Sequence, residues 1–239
     1  MILIILAAGK SNRIYKKIKK NKCLIKIKNK SLIQKIIDDA KKKKFISEIR
    51  IVVGFKKKNL INNLKHNKVI FVNNKQFSKR EMLYSMQIGL KNVEQDAIVT
   101  YSDIYYSDKI FDKIYEKKSK KILLPVLNNW KKVWLQRRKD IFQDCETLIY
   151  NKNLFLKEIG KKAENYNQIM GQYMGLIFIP KKYNNFLQYE MNKNKNNNMH
   201  ISTFLNSIIN KKVNIKCLPI STRWYEFDDI EDLRNFKNN

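Results

Sequence analysis

Disulfide chemistry has little to work with in this sequence. Its 239 residues hold three cysteines, Cys23, Cys145 and Cys217, far apart and without a CxxC pair. That excludes a disulfide framework and a structural zinc site, and it points to a reducing compartment. With three prolines and six glycines there is no proline- or glycine-rich linker to divide the chain. No run reaches the roughly 18 apolar residues of a membrane span, and the opening run Ile2–Leu6 is also too short for a signal peptide. The expectation is therefore a cytoplasmic protein with no membrane partner. Acidic residues are scarce too: 21 against 50 lysines and arginines, a formal net charge of +29.

Apolar material is plentiful: 44% of residues are hydrophobic and 11% aromatic, enough for a substantial core. The positive charge invites a nucleic-acid reading, with "YKKIKKNK" (15–22) as its best segment. Lysine is, however, spread along the whole chain beside abundant asparagine, the pattern of a coding bias that falls on tolerant surface positions. No nucleic-acid partner is expected; a nucleic-acid-binding protein stands as the rival from another class.

Strand-length apolar runs alternate with helical patterns. "MILIIL" (1–6), "EIRIVVGF" (48–55), "KVIFVNN" (68–74), "DAIVTYSDI" (96–104) and "KILLPVLN" (121–128) read as strands. "SLIQKIIDDAKKKK" (31–44), with Ser31 placed to cap it, "KNLINNL" (58–64) and "EMLYSMQIGLKNV" (81–93) read as helices. This rhythm means βαβ units and a mostly parallel sheet. Beyond residue 121 come strand pieces at "ETLIYN" and "LFLKEIG", a return to the sheet at "QYMGLIFIP" (172–180), a helix at 201–210, a strand at 213–220 and a closing helix at 229–237. One α/β domain with a small inserted lobe is the economical reading, its nucleotide half about 1–120 and its second half about 121–239.

In such sheets ligands bind beyond the carboxyl ends of the strands. At the first of these ends, "ILAAGKSNR" offers Ala7, Ala8 and Gly9, which lack bulk and let backbone N–H groups approach phosphates, followed by Arg13, a planar phosphate donor. The stretch is neither GxxxxGK[ST] nor GxGxxG. Asp103 in "YSDIYYS" ends another strand, and Asp228 lies in "WYEFDD". Two carboxylates at edges of one sheet suit magnesium held together with nucleotide phosphates.

These stretches together resemble the nucleoside-diphosphate-sugar pyrophosphorylase-like nucleotidyltransferases. Within them the chain is most similar to the small CTP-dependent cytidylyltransferases that activate phosphocholine and related phospho- or phosphono-compounds. "ILAAGKSNR" matches LAAGxGxR, "NKCLIKIKNKSLI" matches PKxLxxxxxxPLI, and "IVVGF" matches VVGY. "EMLYSM", "TYSDIYYS", "DCETL", "GQYMGL" and "WYEFDDIEDL" resemble stretches of the phosphocholine branch. The resemblance implies a Rossmann-like, glycosyltransferase-A-like fold: a mostly parallel mixed sheet flanked by helices, with an inserted acceptor-binding lobe. It implies transfer of CMP from CTP to a small phosphate or phosphonate acceptor, pyrophosphate leaving, with Mg2+ as cofactor; a homodimer is compatible with it.

The resemblance also assigns roles. Leu6, Ala7, Ala8 and Gly9 would cradle the nucleotide, with Tyr84, Ser85 and Ser102 beside it. Lys22 and Arg13 would face the reacting phosphates, and Asp103 and Asp228 would hold magnesium. Trp130, Trp134, Glu146, Tyr173 and Glu226 would build an acceptor pocket, where aromatic faces and a carboxylate suit an ammonium. The family pattern is broken at Ser11, which replaces a glycine, at Asn21, which replaces the proline before Lys22, and at Arg80-Glu81, where relatives often carry asparagine. The rival within enzymes is a sugar-1-phosphate nucleotidyltransferase using UTP, dTTP or GTP.

Overall fold

The computed structural model describes residues 1–10, 19–137, 140–193, 198–211 and 213–237. Arg13, Ser11 and the first half of the 15–22 segment lie outside the described residues. The core begins with β1 (Ile2–Ala7), every residue of which is buried. Leu3, Ile5 and Ala7 join one apolar cluster, and Ile2, Ile4 and Leu6 join another on the opposite face. A strand covered on both faces needs no polar alternation, which is why its sequence is a continuous apolar run.

The remaining main-sheet strands are β2 (Glu48–Val53), β3 (Ile70–Asn73), β4 (Ala97–Tyr101), β5 (Ile122–Leu127), β6 (Gln172–Tyr173), β7 (Leu176–Ile179) and β8 (Ile215–Ile220). β1 pairs in parallel with β2 on one side and β4 on the other, and β2 pairs in parallel with β3. β7 runs antiparallel to both β4 and β5, and β8 pairs in parallel with β5. The registers Gln172 opposite Leu127, Tyr173 opposite Val126 and Phe178 opposite Leu123 put β6 and β7 on the same edge of β5. They form one strand interrupted by a bulge at Met174-Gly175, where Gly175 takes φ +73°. The sheet is thus mixed and mostly parallel, as expected, and strand order reverses direction between β1 and β4.

The α-helices among the described residues are α1 (Leu32–Lys41), α2 (Lys57–Leu64), α3 (Met82–Gly89), α4 (Lys109–Lys117), α5 (Trp130–Arg137), α6 (Asn184–Lys193), α7 (Ile201–Ile209) and α8 (Ile230–Lys237). Ser31 caps α1 by accepting the Gln34 N–H at 3.3 Å, and Leu32, Ile33, Ile36, Ile37 and Ala40 form its buried stripe. Helix α3 stops at Gly89, four residues short of the sequence expectation. A Cβ at Gly89 would stand 2.6 Å from Ile4, so the last helical residue packs tightly on β1; Asn92 then turns the chain with φ +57°.

Two antiparallel ribbons carry the site away from the sheet. Glu146–Tyr150 pairs with Leu156–Lys162, forming the inserted piece between β5 and β6. Ile104–Tyr106 pairs with Trp224–Glu226, with Glu226 opposite Ile104, and the Phe227 N–H continues onto the Asp103 carbonyl at 3.2 Å.

Candidate active site

That second ribbon explains why two distant aspartates meet. Its register draws the chain after Glu226 alongside Asp103, just beyond the carboxyl end of β4. The short 3-10 turn Lys22–Leu24 supplies the third member. Lys22 Nζ stands 2.7 Å from Asp103 Oδ2 and 2.8 Å from Asp228 Oδ1. Burial alone would lower the Lys22 pKa; the adjoining carboxylates more than reverse this and hold it above the ordinary lysine value. Asn21, standing where the family has proline, takes φ −60°, within proline's own range, and its side chain donates to the Phe55 carbonyl at 3.1 Å. A tether thus replaces a ring in aiming the lysine.

Asp228 is held from behind. Asp229 caps α8 by accepting the N–H groups of Glu231 and Asp232. The Asp232 carboxylate reaches back to the N–H groups of Asp228 at 2.7 Å and Asp229 at 3.2 Å, a reciprocal cap. The same carboxylate receives Arg137 Nε at 3.0 Å, and Arg137 also reaches Asp228 Oδ2 at 3.3 Å and Glu226 at 3.6 Å. Both Arg137 and Asp232 have fully buried side chains. Glu226 is pushed up to about 8 by burial and the nearby Asp228 charge, with Arg137 opposing.

On the β1 side lies a cavity of about 480 Å³, lined among others by Leu6, Ala8, Gly9, Lys10, Ser85, Lys79 and Arg80. A Cβ at Gly9 would meet nothing within 4 Å, so the bare glycine opens onto this space rather than onto packed protein. Ser85 Oγ is fixed by Asn74 Nδ2 at 2.9 Å. Ala7, buried in β1, and Ser102, buried just past β4, are not lining residues; Tyr84 lies beneath the Arg80 guanidinium at 4.8 Å.

A second cavity, of about 400 Å³, shares Glu81 and Met82 with the first. Trp134, Glu146, Tyr173, Glu226 and Asp228 line it, together with Tyr101, Asp144, Gln172, His200, Ser202 and Trp224. Burial raises the Glu146 carboxyl above its ordinary value, opposed by the Ser202 hydroxyl, which donates to it at 3.2 Å. Trp130 is not brought here: it is buried, packed towards Tyr166 at 6.3 Å. The two tryptophans share a helix face, but only Trp134 reaches the cavity. Arg137, Asp232 and Gln172 escaped the sequence reading. Arg137 opens "RRK", which looks like surface charge, whereas the D-x-x-D spacing of Asp229 and Asp232 ahead of an apolar position was a legible cap signal.

Among the described residues no group of three or more His, Cys, Asp or Glu is arranged to hold a metal ion. The Asp103–Asp228 pair nevertheless already converges on one cation, the Lys22 ammonium, and two carboxylates suffice for magnesium that shares its shell with phosphates.

Residues 3–162 match the MobA-like NTP transferase domain. The chain belongs to that family and is a nucleotidyltransferase. A curated relative, the CTP:phosphoglutamine cytidylyltransferase of Campylobacter jejuni subsp. jejuni serotype O:2, is 34% identical over 250 positions, covering 98% of each chain. Among solved structures, CTP:phosphocholine cytidylyltransferase from Streptococcus pneumoniae superposes with a TM-score of 0.75 at 21% identity, covering 99% of this chain and 98% of that one. A putative glucose-1-phosphate thymidylyltransferase from Bacillus anthracis superposes with 0.76 at 17% identity, covering 98% and 93%. At such identities the likeness to the solved structures speaks for the fold, in agreement with the expected glycosyltransferase-A-like sheet.

Proposed function

We propose that the chain transfers CMP from CTP to a small phosphorylated or phosphono acceptor that carries an amine, releasing pyrophosphate. The observation that carries this reading is a division of charge between two adjoining cavities. The one beside β1 has Lys10, Lys79 and Arg80 on its wall, suited to a triphosphate. The other has Glu81, Asp144, Glu146, Glu226 and Asp228 and, among the described residues, neither lysine nor arginine on its wall, Lys22 and Arg137 meeting its carboxylates from behind. Burial biases Glu146 and Glu226 toward their neutral forms, so this wall gains nothing from an acceptor that brings only phosphate and hydroxyl groups; an ammonium on the acceptor supplies the charge that keeps both ionised. The CTP:phosphoglutamine relative supports the choice of nucleotide and of an amino-acid-type acceptor.

An acceptor phosphate oxygen attacks the α-phosphorus of CTP; the new P–O bond forms as the bond to the β-phosphate oxygen breaks and pyrophosphate departs with that electron pair. The acceptor oxygen is already anionic, so no strong general base is required, and the protein contributes position and field. Asp103 and Asp228 would hold Mg2+, which when bound neutralises charge on the phosphates. Lys22 lies at the same point and faces the same developing charge. Arg13 is proposed as a further phosphate contact. Glu146 and Glu226 would bind the acceptor's positive end, and the fixed Ser85 would orient the base.

The test is pyrophosphate release across four nucleoside triphosphates and a panel of phospho-acceptors, with and without EDTA. Release with CTP and an aminated acceptor, abolished by EDTA and restored by Mg2+, is expected. Release only with UTP, dTTP or GTP and a sugar phosphate would overturn the reading.

A further inference from the structure

The acceptor cavity distinguishes between kinds of ammonium. Gln172 on β6 is almost completely buried, and its Nε2 donates to the backbone carbonyl of Glu146 at 3.1 Å. A backbone carbonyl only accepts, so the amide is locked with nitrogen toward Glu146 and its own Oε1 left to the cavity that Gln172 lines. Beside it, Glu146 spends Oε1 on the Ser202 hydroxyl and keeps its second oxygen. The wall here therefore presents hydrogen-bond acceptors, with negative charge behind them.

The aromatic residues of the same cavity are partly engaged with one another. Trp134 stacks on Trp224 with centroids 5.6 Å apart and planes 3° apart, and the Arg137 guanidinium lies over the Trp134 ring at 5.0 Å. Tyr101 and Tyr173 meet edge to face at 5.8 Å. A quaternary ammonium, which has no N–H, is recognised by open ring faces. A primary ammonium brings three N–H donors, and those are what a locked amide oxygen and a carboxylate oxygen accept.

We infer that Gln172 and Glu146 select an acceptor with a primary ammonium group against its N-trimethylated counterpart. This inference rests on the proposed function of the site and narrows its substrate class. Trimethylation removes every donor, so binding would bury two acceptor oxygens unpaired; a site built to hydrogen-bond a group rejects an analogue without it far more strongly than by size alone.

The experiment compares kcat/KM with CTP and Mg2+ for two matched pairs: phosphoethanolamine with phosphocholine, and phosphoglutamine with its Nα-trimethyl derivative. In whichever pair turns over, the primary amine is expected to be favoured by at least about a hundredfold. Gln172→Met, close in size but without the oxygen, should cut that preference at least about tenfold through acceptor KM, with KM for CTP unchanged. Should that variant fold poorly, Glu146→Gln, which still accepts the Ser202 hydroxyl, is expected to raise KM for the primary amine in the same way. Equal or better turnover of the trimethylated member, or a preference untouched by these substitutions, overturns the inference and leaves the proposed function standing. Pyrophosphate release with CTP and neither pair, nor with any other aminated phosphate or phosphonate of the panel, overturns the proposed function itself, and this inference with it.

Discussion

Lys22 and Asp228, 206 residues apart in the chain, meet at 2.8 Å beyond the carboxyl ends of the central strands. The same ammonium holds Asp103 at 2.7 Å, so one cation joins the first loop, the fourth main-sheet strand and the chain before the last helix. An arrangement this buried and this long-range is expensive to assemble unless the charges are used.

Turnover should therefore collapse when either partner is neutralised. Lys22→Met and Asp103→Ala are each expected to lower pyrophosphate release at saturating CTP by at least about a hundredfold, the scale of losing one electrostatic stabiliser. Far-UV circular dichroism must show both variants folded. Near-normal turnover in both would remove this triad from the chemistry.

The elements that built this triad were unequally visible in the sequence. β1 was plain because both of its faces are covered and its residues are uniformly apolar. Asp103, just past the apolar strand "AIV", and Asp228, directly after the last strand region, stand out as carboxylates at strand ends. Their meeting was not written locally: it depends on the register that sets Glu226 opposite Ile104, a pairing across more than a hundred residues. Apolar periodicity continues past Gly89 and predicts a longer helix than α3, while the left-handed turn at Asn92 that redirects the chain carries no strong local signal. Trp130 and Trp134 share a helix face, and periodicity cannot say which of two such residues faces a cavity. Arg137 was hidden because a buried guanidinium looks, in sequence, like any other positive residue in a lysine-rich chain.

The Arg137–Asp232 contact is predicted to matter for stability as well as for placing Asp228. Asp232→Ala removes a buried charge partner and two backbone caps together, so a loss of about 3 kcal/mol or more is expected. Urea unfolding followed by tryptophan fluorescence measures it, and a midpoint equal to wild type would contradict the role.

Trp130 and Trp134 should separate cleanly. Trp130→Phe, outside the cavity, is expected to leave KM for the acceptor unchanged at a modest cost in stability. Trp134→Phe shortens a cavity wall that stacks on Trp224, and should raise that KM. An acceptor KM raised by Trp130→Phe alone would place acceptor binding on the other side of α5.

Asn74 offers a test of the other cavity. Its side chain is buried, donates to Ser85 Oγ at 2.9 Å and accepts the Gln76 N–H at 2.8 Å. Asn74→Leu frees the serine and loosens the turn, so KM for CTP should rise while KM for the acceptor stays put. A rise in the acceptor KM instead would reverse the proposed division of the two cavities.

Gly160 links fold and acceptor binding through a contact only a glycine permits. It sits at φ +84° on the inserted ribbon, and a Cβ there would come within 2.9–3.0 Å of Ser202. Ser202 is the residue that donates to Glu146. Gly160→Ala therefore combines left-handed backbone strain with displacement of the hydroxyl that positions the carboxylate. A loss of about 1–3 kcal/mol in unfolding free energy is expected from the strained backbone position. Beyond that, the acceptor KM should rise while the CTP KM holds, because the damage falls on one cavity. A destabilised variant with both constants unchanged would show that Gly160 serves the ribbon alone and that Glu146 does not depend on Ser202 for its position.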